Sequence, residues 1–221
     1  MGIAYNTSVV RDGLVGHYDA ANVKSYPGTG TVWSDISGNG NNGTLVGPVY
    51  NSGSNGNIFF DGINDYVTIP IPQLTGKSVI TVDACINWRG NSGKMFFGFD
   101  TYDVYTVNGI GFNNGASNNI GIPTATVTAL NCVNNFKHYT FVMRDSASLM
   151  TTNKIYVDGE DQGTLAVLAA SDGLGKNFGT SMRLGIWNSG TSWIGDVSYG
   201  SCRLYDRELT AAEIKQNFEA M

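Results

Sequence analysis

The sequence predicts an all-β fold, on three observations. Apolar side chains recur with a period of two, turn residues punctuate the chain at short intervals, and only one helix is clearly signalled, at the C-terminal end. Short strands separated this regularly read as a sandwich or a barrel.

Each element has its own warrant. Asp65 to Ile71 places Val67, Ile69 and Ile71 on one side of a strand. From Val79 to Trp88, the set Ile80, Val82, Ala84, Ile86 and Trp88 alternates with Thr81, Asp83, Cys85 and Asn87, which buries one face of a strand. Tyr139, Phe141 and Met143 repeat the pattern between His138 and Arg144. Ile155 and Val157 run into Asp158-Gly159, a pair that accepts the positive φ of a two-residue hairpin. Met182, Leu184 and Ile186 mark another strand. Ile194 to Tyr205 reads as a long one interrupted by Gly200, where a bulge would re-aim its side chains. Glycine and asparagine clusters at Gly28–Gly30, Ser37–Gly43, Asn51–Asn57, Asn113–Asn119 and Asn188–Gly190 supply turns. A single helical turn is expected over Asp19 to Ser25. At the end, Thr210 can cap a helix with Glu213 three residues on, and Leu209 and Ile214 form a hydrophobic staple. The apolar stripe of that helix, Ile214 and Phe218, docks either on its own sandwich or on another subunit of a homo-oligomer. Trp33 and Trp88 are assigned to the core.

Composition bounds the function. The 221 residues are expected to form one domain, 1–221, since no linker or solenoid-length repeat interrupts them. A content of 42% hydrophobic residues supplies a core, and the formal net charge is −5. No run of Lys or Arg is present, so nucleic acid and anionic membrane surfaces are not expected partners. No apolar stretch approaches the ~20 residues of a spanning helix, so membrane insertion is not expected. Cys85, Cys132 and Cys202 are odd in number with no C-x-x-C, which predicts buried free thiols. Residues 1–14 lack the basic and then apolar pattern of a secretory signal.

Five ordered segments resemble one family. These are Gly13 to Ala20, then Trp33 to Leu45 with its W-x-D-x-S-G-N-G-N-x-G-x-L spacing, then Phe60 to Val67 as F-D-G-x-x-D-Y-V. Lys137 to Val142 with Lys154 to Gly159, and the close Leu204 to Ile214, complete the series. Together they resemble the laminin G-like family of concanavalin A-like domains. That resemblance implies a two-sheet antiparallel jelly-roll sandwich with a short C-terminal helix. Asp19 to Gly28 and Ala212 to Phe218 are similar to segments of tailed-bacteriophage virion proteins. This implies a capsid decoration or tail-appendage module, assembled in the bacterial cytoplasm and partnered by other virion proteins.

The chemistry is weighed on residues. Laminarinase-type hydrolases of this fold carry Glu-x-Asp-x-x-Glu, and glycoside hydrolysis needs a carboxylate pair. Here Glu160, Glu208, Glu213 and Glu219 all fall late in the chain and match no such motif. Asp100 with Asp103, and Asp158 with Asp161, read as solvated turn carboxylates. His17 and His138 lie in strands with no nucleophile signature beside them. The expectation is therefore a non-enzyme that requires no cofactor. The resemblance nominates one metal, a structural calcium with Asp35 and Asp196 as ligands, against the alternative that Asp35 bonds its own turn. Trp187, Asn188, Trp193, Tyr102 and Tyr105, with Asn113, fall in or near loops and are candidates for a host-surface glycan site, since aromatic faces stack on sugar rings. A dedicated receptor-recognition lectin is the alternative to a virion structural module, and a glycoside hydrolase the third reading.

Overall fold

The computed structural model describes residues 8–113, 118–145, 152–170, 176–187 and 192–221. Its chain order opens with β1 (Leu14–Asp19), β2 (Val32–Trp33), β3 (Gly43–Val46), β4 (Val49–Asn51), β5 (Asn57–Asp61), β6 (Tyr66–Pro70) and a 3-10 turn at Pro72–Leu74. Next come β7 (Val79–Trp88), β8 (Lys94–Gly98), β9 (Asp103–Thr106), β10 (Gly109–Phe112), β11 (Asn119–Pro123) and α1 (Thr124–Ala129). The remainder is β12 (Phe136–Arg144), β13 (Lys154–Val157), β14 (Glu160–Asp161), β15 (Ala166–Ala169), β16 (Ser181–Leu184), β17 (Asp196–Tyr205) and α2 (Ala211–Glu219).

These strands make two antiparallel sheets. The first runs β14-β13-β12-β7-β17-β5-β4, and β1 also pairs with β17. The long β17 serves two neighbours on one edge: residues 196–199 pair with β5, and residues 201–205 pair with β1. The second sheet runs β15-β11-β10-β9-β8-β16-β6-β3-β2. Inward side chains of both sheets meet in one apolar layer. Phe141 sits at its centre, with ring contacts to Phe97 at 5.5 Å, Phe112 at 6.0 Å and Phe96 at 6.4 Å, all edge-on. Trp33 and Trp88 are buried there as the alternation requires.

The hairpin at Asp158-Gly159 has both residues at positive φ, 52° and 81°. Gly200 marks a register shift on β17 against β7, between Tyr199 and Ser201. The capping box of α2 is present, with Thr210 and Glu213 bonding each other's backbone. Ile214 is fully buried, so α2 docks on its own sandwich, among Val10, Tyr205 and Leu209. No helix among the described residues is long and apolar enough to cross a membrane.

The single helical turn expected over Asp19 to Ser25 is present as one hydrogen-bonded turn: Asn22 O accepts from Ser25 N–H and Tyr26 N–H, both at 2.8 Å, while Asp19 Oδ1 accepts from Ala21 N–H and Asn22 Oδ1 from Lys24 N–H, local bonds that compete with a longer helix. Conversely α1 forms where no amphipathic signal exists. Its TATVTA sequence is rich in β-branched residues and has no side-chain cap, and burial of Val127 holds it in place.

Candidate functional site

The site grows from alternation in the second sheet. Val104, Ile110, Phe112, Ile120 and Ile122 point into the core. Asp103, Tyr105, Gly111, Asn119 and Gly121 therefore point away from it. Gly111 and Gly121 are register partners. A Cβ on Gly121 would lie 2.2 Å from Ile110 O and 2.8 Å from Leu168 Cδ1. The missing side chains thus let Leu168 of β15 lie over the sheet, and Ala169 and Ala170 follow it as one wall.

The opposite wall is aromatic. Trp193 is held at φ 62°, left-handed backbone that a bulky residue adopts only under strain. Its carbonyl accepts from Met95 N–H at 2.8 Å. Its ring meets Tyr105 edge-on at 5.9 Å and remains 45% exposed. Trp187 completes the rim, and the open cavity measures about 440 Å³.

Polar groups converge on the same cavity. Asp103 is 1% exposed and accepts from Asn113 Nδ2 at 3.3 Å. Asn119 Nδ2 donates to Tyr105 Oη at 2.7 Å and to Ala170 O at 2.8 Å. Two buried atoms at this site, Trp187 Nε1 and Asn113 Oδ1, have no hydrogen-bond partner among the described residues. One is a donor and one an acceptor, and both are buried. The arrangement can therefore grip a small molecule with apolar faces and hydroxyl edges.

The sequence-nominated residues divide. Tyr105, Trp187, Trp193 and Asn113 border this one cavity. Asn188 lies outside the described residues. Tyr102 is corrected: it is fully buried in the core, its ring against Phe178 and Phe112, and its hydroxyl accepts from Asn153. Its place beside a loop in sequence hid an inward orientation. Asp103 is corrected too, from a solvated turn carboxylate to a buried group at the start of β9. Asp103-x-Tyr105 was the available signal, since a spacing of two puts both on one strand face. Asn119 carried no signal beyond an asparagine-rich turn.

The two nominated calcium ligands are not brought together. Asp35 Oδ1 accepts from His17 N–H at 2.9 Å and Ser37 N–H at 2.8 Å, and Oδ2 from Asn41 N–H at 3.0 Å. Asp196 faces Arg89 Nε at 3.3 Å and accepts from Asn91 Nδ2 at 3.0 Å. His17 pairs with Arg203, seven positions along β17 from Asp196. At strand rise that is roughly 23 Å.

The first sheet also presents chemistry on its outward face, where Asp83 and His138 are fully buried beneath α2 while Cys85 and Arg203 border a separate hollow of about 300 Å³. His17, Arg203, Asp83 and Thr140 form a row across four strands. Asp83 is completely buried, with Arg203 Nη1 at 3.0 Å, His138 Nε2 at 2.8 Å, Thr140 Oγ1 at 2.6 Å and Asn217 Nδ2 at 3.2 Å. Burial pushes its carboxyl up, yet His138 and Arg203 together hold it below the usual range. Cys85 is the register partner of His138, but burial pushes its thiol up to about 12. His138 has no exposed side-chain surface and its ring lies 5.7 Å from Phe218 of α2.

Comparison with known proteins agrees with the architecture. The chain resembles Trypanosoma rangeli sialidase in complex with sialic acid at 17% identity and a TM-score of 0.62, over 94% of this chain and 33% of that one. It resembles the receptor binding domain of botulinum neurotoxin C/D mosaic serotype at 12% identity and a TM-score of 0.65, over 95% of this chain and 52% of that one. The binding domain of botulinum neurotoxin serotype D gives 11% identity and a TM-score of 0.64, over the same 95% and 52%. The chain thus spans about a third to a half of these proteins. No curated protein sequence matches it. Residues 60–215 match the family model of the concanavalin A-like lectin/glucanases superfamily, and the chain belongs to that superfamily.

Proposed function

We propose that this chain is a non-enzymatic binding module that takes a saccharide in the cavity between Tyr105, Trp187 and Trp193. One observation carries it: the aromatic side chains of Tyr105, Trp187 and Trp193 border, with the amides of Asn113 and Asn119, a space of about 440 Å³. Pyranose rings combine apolar C–H faces with hydroxyls that both donate and accept, which matches that set. Fold likeness at this identity carries no ligand with it, so the cavity bears the weight.

Two features support a non-catalytic role. Among its described lining residues the cavity has one carboxyl, Asp103, whereas retaining hydrolysis needs two about 5 Å apart. The His138–Asp83 pair lies beneath α2, out of reach of substrate. Binding is proposed to require no cofactor; Asp35 and Asp196, bonded within the chain, do not border the cavity.

The place of action follows the resemblance to tailed-phage virion proteins: a capsid decoration or tail-appendage protein, among other virion proteins, that presents the cavity to host-surface glycans. A glycan array tests the site directly. Trp187→Ala and Trp193→Ala are each expected to weaken binding by roughly tenfold or more, as truncated aromatic anchors do. An array without hits, or hits indifferent to both substitutions, removes the saccharide reading. Mass spectrometry of purified virions is a separate test: absence of the chain from particles leaves the dedicated receptor-recognition lectin in its place.

A further inference from the structure

We propose that Asn119 is the positioning residue of the saccharide cavity: its amide ties the Ala169–Ala170 wall to Tyr105 on the opposite wall and so fixes the space between them. This deepens the saccharide reading and rests on it. Asn119 opens β11 and is buried. Its Nδ2 carries two hydrogens, and each meets an acceptor: Tyr105 Oη at 2.7 Å and Ala170 O at 2.8 Å. Ala170 O can only accept, so the nitrogen end of the amide has to face it. With both hydrogens engaged within the chain, the amide donates to its own walls rather than to a sugar.

The two acceptors reach Asn119 from opposite sides. On one side β15 carries an extra residue: Asn119 pairs with Ala169 but Ile120 pairs with Val167, so Leu168 is bulged. Its Cδ1 lies over Gly111 and Gly121, 2.7 Å and 2.8 Å from where a Cβ would stand on each, and Asn108 Nδ2 donates to its carbonyl at 2.8 Å. Beyond this bulge the carbonyl of Ala170 faces Asn119. On the other side Tyr105 lies on β9, two strands and roughly 10 Å away. Gly111, its register partner on the intervening β10, has no side chain to block the phenol. The hydroxyl therefore reaches Asn119 while the ring meets Trp193 edge-on at 5.9 Å. A phenol held at its hydroxyl end is fixed in orientation, and Trp193 packs against a fixed partner. A site ordered before binding loses less entropy when it binds.

NMR of the unliganded whole chain reads the tie itself. Tyr105→Phe, which keeps the ring and removes the acceptor, is expected to shift one of the two Asn119 side-chain amide protons upfield and leave the other in place. Titration with a methyl hexopyranoside matching the tightest array hit reads the role. Tyr105→Phe is expected to weaken binding roughly fivefold, the worth of one hydrogen bond, and Asn119→Leu, similar in size but without a donor, roughly tenfold. The double variant is expected within about twofold of Asn119→Leu alone, because both substitutions break the same tie. Affinity is read on the folded chain, which a loss of stability alone does not move. The NMR shift and the Tyr105→Phe titration stand even where Asn119→Leu folds poorly. Losses that multiply in the double variant overturn the positioning role while leaving the saccharide site standing. So does an Asn119 amide unmoved by Tyr105→Phe, or full affinity in that variant once the proton has shifted. A chain that binds none of the array's glycans before any substitution overturns the site itself, and this role with it.

Discussion

The two outward sheet faces of this sandwich carry similar residues and do opposite things. On the first sheet, Asp83 lies beneath α2 and is held by Arg203 Nη1, Thr140, His138 and Asn217, while His138 Nδ1 and Arg203 Nε have no hydrogen-bond partner among the described residues. On the second, Asp103, Asn113, Tyr105 and Trp187 border an open cavity, and Asn113 Oδ1 and Trp187 Nε1 have no hydrogen-bond partner among the described residues. Polar groups on an outward strand face therefore mean little until it is known what covers them. A covered row is a structural device, because removing any member leaves a buried charge. An uncovered row is one that a ligand can reach.

The sharpest way to break this contrast is at Arg203. Arg203→Met removes the guanidinium from a fully buried carboxylate and is expected to cost about 3–5 kcal/mol. For a chain of this size that lowers the Tm by roughly 10 °C. Saccharide binding by the folded fraction is expected to stay unchanged, since the cavity lies on the other sheet. Urea unfolding that shows a loss under about 1 kcal/mol would mean the closed face does not hold the fold in this way.

Acid probes the same face more gently. Burial first, then Arg203 and Arg11, lower the His17 pKa to about 4 from 6.5. Below pH 6.5 the unfolded chain takes up a proton that the native chain refuses until about pH 4. Stability from this group is therefore complete above pH 6.5, falls as the pH drops toward 4, and changes no further below that. The full effect is on the order of 3 kcal/mol. Glu213 acts in a lower window: its bond to Arg207 holds it near 2, so its contribution is lost as the pH falls from about 4.5 toward 2. His17→Gln is expected to flatten denaturation midpoints between pH 6.5 and 4 while keeping the decline below 4. An unchanged slope in the upper window would assign it to another group.

This contrast also explains what could be read from the sequence. The strands of the core were legible, because period-two patterns at Val67–Ile71, Val79–Trp88 and Tyr139–Met143 reflect a buried face directly. The bulge at Gly200 and the α2 capping box were legible because each has a local chemical cause. Three cavity aromatics were found from composition near turns, but the same rule drew in Tyr102, which faces inward. Asp103 was hidden because adjacency to Asp100 suggested a turn. Its burial depends on β10, β11 and β15, whose pairing is a long-range fact. The floor made by Gly111 and Gly121 was invisible for the same reason: a glycine announces a turn or a close approach, and only tertiary packing decides which.

The smallest expected effect separates strain from function on the open face. Trp193 holds φ 62° with its ring half exposed. An L-residue there is strained by about 1–2 kcal/mol, which glycine avoids, although glycine gives back part of this through a freer unfolded chain. Trp193→Gly is therefore expected to be more stable than Trp193→Ala by about 0.5–1 kcal/mol. Both variants are expected to lose saccharide binding equally, because the ring and not the backbone faces the ligand. Thermal unfolding and titration of the two variants side by side check this. Equal stability would show that the backbone at 193 is not strained. Retained binding in either variant would show that the strain holds the ring for some purpose other than the cavity.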